Sequence, residues 1–220
     1  VFTYNGQAQT YALQTNDLYT ISNSTFTNAG VYTVTVELKD KTNYEWENEN
    51  SNNIEYSFVI GKATYDMSSV VFANKTVDYN GTAFSLEATN LPNGVIASYE
   101  NNGKTNAGEY TVTAKFTGDA NNYELIANKT AKLIIKKISV AKPTANNTVF
   151  TYNGQAQTYD LQTNDLYTVS NSTFTNAGAY TVTVELKDKT NYQWDNGNSN
   201  NLEYTFVIGK ATYDMSEVVF

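Results

Sequence analysis

Cysteine and histidine are both absent from the 220 residues. That removes disulfides, thiolate nucleophiles, His-based triads, Cys/His zinc sites and haem ligation by either residue. Those side chains carry most acid–base and nucleophilic chemistry near neutral pH, so the composition argues against an enzyme. Only chemistry carried by carboxylates alone survives. Basic residues are also few, 14 Lys plus Arg against 22 Asp plus Glu, for a net charge of −8. An acidic chain lacks the cationic surface that neutralises phosphates, which argues against nucleic acid and against an anionic membrane surface. Proline occurs twice, at Pro92 and Pro143. No apolar run approaches the ~18 residues of a membrane-spanning helix, and no signal-peptide pattern is present.

What the chain has is aromatic and β-favouring. Eighteen Tyr, 10 Phe and 2 Trp make up 14% of it, whereas disordered chains are aromatic-poor. Tyr, Phe, Val and Thr are the residues that strands select.

The chain is also repetitive, which decides the fold before any local pattern does. Residues 1–72 recur as 149–220 with nine differences, among them Ala12/Asp160, Val31/Ala179, Glu47/Asp195 and Ile54/Leu202. A weaker repeat lies between them. Tyr79-Asn80-Gly81 matches Tyr4-Asn5-Gly6 and Tyr152-Asn153-Gly154. Asn106-Ala107-Gly108-Glu109-Tyr110-Thr111-Val112 matches the stretches from Asn28 to Val34 and from Asn176 to Val182. Asn122-Tyr123 matches Asn43-Tyr44 and Asn191-Tyr192. The pattern is type one, type two, type one, with boundaries near Lys62, Lys137 and Lys210. It predicts a type-one repeat over 1–61 that lacks its first strand, a type-two repeat over 62–136, a type-one repeat over 137–209, and in 210–220 the first strand of a truncated next repeat. The chain is then a window on a longer array. The missing opening strand predicts an unpaired edge or open apolar groove in the first repeat. Ala211 to Phe220 is predicted as a spare strand able to lie against the first repeat of another molecule.

Each repeat reads as strands. Along Ala179–Leu186, Tyr180, Val182, Val184 and Leu186 share one face and Thr181, Thr183 and Glu185 the other, the period of a half-buried antiparallel strand. Leu202 to Ile208 alternates likewise. Val149 to Tyr152 ends at the turn pair Asn153-Gly154, and Tyr167–Val169 and Ser139–Lys142 are shorter candidates. No amphipathic helix of ten residues is present. Six or seven short strands in about 75 residues point to a small sandwich.

The motif Asn-Ala-Gly-x-Tyr-x-Val closely resembles the Asp-x-Gly-x-Tyr-x-Cys of immunoglobulin domains, with Val34, Val112 and Val182 at the cysteine position. The resemblance makes Tyr32, Tyr110 and Tyr180 tyrosine corners, each hydroxyl bonded to upstream backbone, with the glycine supplying a backbone conformation that other residues resist. The whole pattern resembles the Ig-like and MBG-type tandem repeats of bacterial cell-surface proteins. Tyr152, Asn153 and Gly154, the stretch from Ala177 to Leu186, Asn191, Tyr192 and Trp194, and Lys210-Ala211 carry the match. The second repeat departs from it, with Leu125 at the Trp position and Lys137-Ile138 after the last strand. The resemblance implies an all-β chain of small Ig-like sandwiches placed end to end, with β-grasp-like repeats as the alternative. It implies an extracellular stalk or adhesin segment on a bacterial surface and no catalytic residues.

Four constellations are candidates for chemistry. Trp46 and Trp194, in Asn-Tyr-x-Trp, are candidate rings for stacking on a sugar; the alternative is that each plugs its sandwich. The run from Asp195 to Asn201 is oxygen-rich, as a calcium loop would be, but the first copy, Glu47 to Asn53, shifts its acids, and a polar hairpin loop explains both. No cofactor is otherwise implied. No Lys, Asn and carboxylate trio stands out for a self-formed isopeptide link, although Lys62, Lys137 and Lys210 sit at repeat boundaries. The Asn-x-Ser/Thr triplets follow from composition. Two functions remain: a spacer holding a distal domain away from the cell, whose partners are the neighbouring repeats, and a repeated binding module for a glycan or host protein.

Overall fold

The computed structural model describes residues 1–216. In chain order the strands are β1 (Phe2–Thr3), β2 (Gln9–Thr10), β3 (Tyr19–Ile21), β4 (Thr25–Phe26), β5 (Gly30–Leu38), β6 (Ile54–Gly61), β7 (Lys75–Asp78), β8 (Ile96–Glu100), β9 (Gly108–Thr117), β10 (Lys129–Lys136), β11 (Ile138–Val140), β12 (Phe150–Thr151), β13 (Gln157–Thr158), β14 (Tyr167–Ser170), β15 (Thr173–Phe174), β16 (Gly178–Leu186), β17 (Tyr192–Trp194) and β18 (Leu202–Gly209). The chain is all-β. Among the described residues there is no helix, which leaves the β-grasp alternative without the element it packs on its sheet.

Contacts divide the chain into two compact units. One comprises Val1–Ala73, Leu86–Asn102 and Thr111–Ala131, the other Asn74–Ser85, Gly103–Tyr110 and Lys132–Phe220. The divisions at 61/62, 136/137 and 209/210 are divisions of sequence, and the compact units cut instead through the middle repeat.

In the first unit a four-stranded sheet has the order β1-β6-β5-β3. Strands β5 and β6 pair antiparallel from Gly30↔Ile60 to Val36↔Ile54, and β3 joins β5 antiparallel. The edge strand β1 runs parallel to β6. A separate antiparallel pair, β2–β4, forms the second layer. Val34, Phe58 and Ile60 are buried between the layers, with Tyr11, Phe26 and Tyr32 packed against them. The unit also holds the antiparallel pair β8–β9 over a second cluster of Val70, Val95, Ala114 and Phe116.

The second unit uses the same plan. Its sheet has the order β12-β18-β16-β14, faced by the pair β13–β15. It contains one pairing that the first type-one repeat lacks: β11 lies parallel to β17, with Ile138↔Tyr192 and Val140↔Trp194. The core gathers Val140, Leu161, Val182, Val184, Trp194 and Phe206, each such side chain contributing roughly 1.5–3 kcal/mol on full burial. The two layers and the parallel first strand beside the last make each type-one repeat an Ig-like sandwich.

The alternation read from the sequence is visible in β16, where Val182, Val184 and Leu186 are buried and Thr181 and Glu185 exposed. Leu125 is different. It stands at the Trp position in sequence but is 94% exposed, and Ile126 packs on the core instead. The segment 211–216 forms no strand. The rest of the spare strand expected there, Glu217 to Phe220, lies outside the described residues.

Candidate functional site

The most strictly recurring residues converge on the junctions between successive repeats. Each junction lies within one compact unit. In the first, the buried Asn122 accepts at Oδ1 from the Ala29 backbone N–H, 2.8 Å away. Its Nδ2 donates to Asp119 Oδ2 at 2.7 Å and lies 3.4 Å from Asn28 Oδ1. In the second, the buried Asn191 accepts from the Ala107 N–H at 2.7 Å and donates to Asp188 Oδ2 at 2.7 Å and Asn106 Oδ1 at 3.2 Å. One asparagine thus reaches back into the Asn-Ala-Gly loop of the repeat before it. The partners are 93 and 84 residues away in sequence.

Two further contacts recur with it. Lys62 Nζ donates to the Ala120 carbonyl at 2.6 Å, and Lys137 Nζ to the Lys189 carbonyl at 2.6 Å. That gives the boundary lysines a role, holding the loop of the incoming repeat. Tyr4 meets Tyr123 edge to face at 5.4 Å, and Tyr79 meets Tyr192 at 5.8 Å. The connecting chain is taken up in pairing rather than left as linker. Ala63 bridges Tyr123 in parallel, and β11 starts two residues after β10 ends.

The carboxylates beneath these asparagines respond. The Asn122 amide, with help from neighbouring backbone N–H groups, holds Asp119 below its usual value of 3.8. The Asn191 amide does the same for Asp188.

The Asn-Ala-Gly loop serves the tyrosines as well. The hydroxyls of Tyr32, Tyr110 and Tyr180 donate to the carbonyls of Asn28, Asn106 and Asn176 at 2.8, 2.9 and 2.8 Å. The rings are half-buried rather than buried, and Phe26 and Phe174 stack on Tyr32 and Tyr180 at 3.9 and 3.8 Å. The glycine acts otherwise than its motif suggests. None of Gly30, Gly108 or Gly178 has a positive φ. A Cβ on them would stand 3.1, 3.0 and 3.1 Å from the tyrosine two residues on. The residue is small so that the ring can lie on the backbone.

The two tryptophans have diverged. Both indole N–H groups donate to a carbonyl six residues on, Asn52 and Asn200, at 2.7 Å. Trp194 is 0% exposed and offers no face to a sugar, because β11 covers it. Trp46 remains partly exposed. In the loop after Trp194, side-chain oxygens are engaged by the loop itself. Asn196 and Asn198 Oδ1 accept from the N–H groups of Asn198 and Asn200. Among the described residues no group of three or more acidic side chains is placed to hold a metal.

Folding also assembles a trio that sequence spacing hid. Lys41 Nζ lies 2.7 Å from Glu37 Oε1 and 2.9 Å from Asn53 Oδ1. Lys189, Glu185 and Asn201 repeat the arrangement. The lysine and glutamate side chains are 42% and 50% exposed in both copies, so this is a solvated surface ion pair without the dry surroundings that an amide-forming lysine needs.

No protein-family model and no curated protein matches the chain. Among solved structures it is similar to the EC1-4 region of Drosophila N-cadherin (10% identity, 93% of this chain, 66% of that one, TM-score 0.27). It is similar to the human desmocollin-1 ectodomain (9% identity, 94% and 54%, TM-score 0.28). A third is SGBP-B of the Bacteroides ovatus mixed-linkage glucan utilization locus, solved with a mixed-linkage heptasaccharide (13% identity, 95% and 66%, TM-score 0.21). The chain spans less than two thirds of the length of these structures.

Proposed function

We propose that the chain is a spacer: tandem Ig-like repeats in an extracellular, surface-attached bacterial protein that hold another domain away from the cell. The observation that carries this is the junction. Two successive boundaries, one type one to type two and the other type two to type one, are closed by the same parts: a buried asparagine, a lysine on a carbonyl, a tyrosine pair and a connecting segment that pairs in parallel with the incoming repeat. A spacer needs its modules fixed to one another. The reading is non-enzymatic, since the chain has neither Cys nor His.

Solution scattering tests it. Fixed sandwiches in series, each about ten strand residues long, give a radius of gyration of ~30 Å, against ~17 Å for a compact globule of this length. The lower value would refute the spacer. A second reading, a glycan- or host-protein-binding module, draws on the partly exposed Trp46. A glycan array probed with the chain and with Trp46→Ala checks it; specific binding lost in the variant would favour it.

A further inference from the structure

Asparagine followed by glycine occurs six times in the chain, and in all six pairs the glycine has a positive φ. Such pairs carry a chemistry of their own. A glycine N–H is the least hindered backbone nucleophile, because no Cβ shields it, and it can attack the side-chain amide just before it. The six pairs are not equally prepared for that attack.

Three of them are the Tyr-Asn-Gly turns, one in each repeat, and their backbones share one plan. In each the tyrosine N–H donates to the strand beside it: Tyr4 to Gly61 O at 2.8 Å, Tyr79 to Lys136 O at 2.9 Å and Tyr152 to Gly209 O at 2.8 Å. Gly6, Gly81 and Gly154 have φ of +79°, +81° and +77°. In each turn the asparagine Oδ1 accepts from the backbone N–H two residues on, at 2.9 Å from Gln7, 2.9 Å from Thr82 and 3.0 Å from Gln155. One group sets the middle turn apart. Thr82 also donates its hydroxyl to Asn80 Oδ1, at 2.7 Å, where Gln7 and Gln155 have no hydroxyl to offer.

Oδ1 is the atom on which negative charge gathers when the amide carbon is attacked. Two donors already aimed at it make a small oxyanion hole. Asn80, Gly81 and Thr82 are all exposed, so water reaches them, and the Gly81 N–H has no backbone partner among the described residues. Asn102, which precedes Gly103, is the contrast. Its Oδ1 accepts from the Leu86 N–H at 2.9 Å and its Nδ2 donates to the Leu86 carbonyl at 2.8 Å. That pair of bonds clamps the whole amide, leaving group included.

We infer that Asn80 is a self-modification site, converted by its own turn to aspartate and isoaspartate, with Thr82 as the donor that steadies the developing charge. Gly81 N attacks Asn80 Cγ, a C–N bond forms, and the Cγ–Nδ2 bond breaks. Ammonia leaves with the proton that Gly81 N gives up, and a succinimide remains. Water opens the ring at either carbonyl, so the main chain then runs through the old backbone carbonyl or through Cγ. Overall an amide and a water become a carboxylic acid and ammonia, with nothing oxidised or reduced. The isoaspartyl product lengthens the backbone next to Tyr79, whose ring meets Tyr192, so the change slackens that contact as the protein ages. The inference does not depend on the spacer reading.

Ageing the intact chain in mildly alkaline water labelled with heavy oxygen tests it, because only conversions completed in the folded chain take up the label. Tandem mass spectrometry of the digested chain should find label at Asn80 accumulating about 2- to 10-fold faster than at Asn5 or Asn153, the gain from one further hydrogen bond to the transition state. Asn102 should be the slowest of the four. Thr82→Val should bring Asn80 down to the rate of the other two turns and leave theirs unchanged, whereas Thr82→Ser should keep the advantage. In concentrated urea the advantage should vanish. A rate at Asn80 equal to or below those at Asn5 and Asn153 overturns the proposal, since the hydrogen bonds would then only immobilise the amide. An advantage that survives Thr82→Val or urea overturns it too, because local sequence rather than the folded turn would be setting the rate.

Discussion

The two copies of the loop that follows the tryptophan differ at Glu47/Asp195 and at Glu49/Gly197, and the second pair sits at a demanding backbone position. Gly197 adopts φ +85° and Glu49 occupies the same left-handed region at +63°. For an L-residue that conformation costs roughly 1–2 kcal/mol, and glycine escapes it. Space plays no part, since no atom lies within 4 Å of a Cβ built at Gly197. Gly197→Glu should therefore destabilise the third repeat by about 1 kcal/mol, and Glu49→Gly should stabilise the first by somewhat less, because glycine also loosens the unfolded chain. Paired urea unfolding curves check both signs. Gly108 is the opposite kind of glycine. Its φ is ordinary and its need is room for Tyr110. Gly108→Ala should push the ring off Asn106 and cost about 1–3 kcal/mol. Tyr110→Phe, which removes only the half-exposed hydroxyl's bond, should cost about 0.5–1.5 kcal/mol. The sequence motif pointed to these residues and misassigned the reason for the glycine, because a residue's type does not say whether its conformation or its size is in use.

At the scale of elements the asparagine latch carries a pH dependence. The carboxyls of Asp119 and Asp188 are held below 3.8 in the folded chain by the amides of Asn122 and Asn191. A depressed folded value stabilises above the unfolded one and is lost as pH falls through the folded one. The junctions should be intact at neutral pH and loosen below about pH 4. Asn122→Ala should loosen the first at all pH values, leaving the Ala29 N–H unpaired at about 1–3 kcal/mol without unfolding either repeat. Amide relaxation rates on the two sides of the junction, which separate when the link slackens, are the measurement. The strands themselves were legible from period-two runs such as Tyr180 to Leu186. The parallel seat of β1 on β6 was not, because nothing in Phe2-Thr3 distinguishes a parallel edge from an antiparallel one. Asn122 and Asn191 were visible as recurring letters, but their partners in the preceding repeat are set by the fold rather than by local sequence.

Across the whole molecule the two type-one repeats are an internal control. Leu13, Tyr19 and Trp46 have the same identities as Leu161, Tyr167 and Trp194, but only the second set is buried. Losing the burial of even one or two large side chains lowers local stability by several kcal/mol. Native-state hydrogen exchange should therefore be at least about tenfold faster in β5 and β6 than in β16 and β18. Equal protection would mean that the first repeat has closed over its own groove. The sequence alone pointed to this asymmetry through its repeat frame, whereas the exposure of Trp46 beside the burial of Trp194 depends on a segment distant from either residue.

The junction has a genetic consequence. The asparagine that reaches back is supplied by a type-two repeat at one boundary and a type-one repeat at the other, and the loop that receives it is Asn-Ala-Gly in both. Both kinds of boundary in the chain therefore use one set of parts. Unequal crossing-over between near-identical copies, which adds or removes whole periods of DNA, leaves every remaining boundary chemically unchanged. The number of modules is free to drift in a population while each surviving contact is inherited intact.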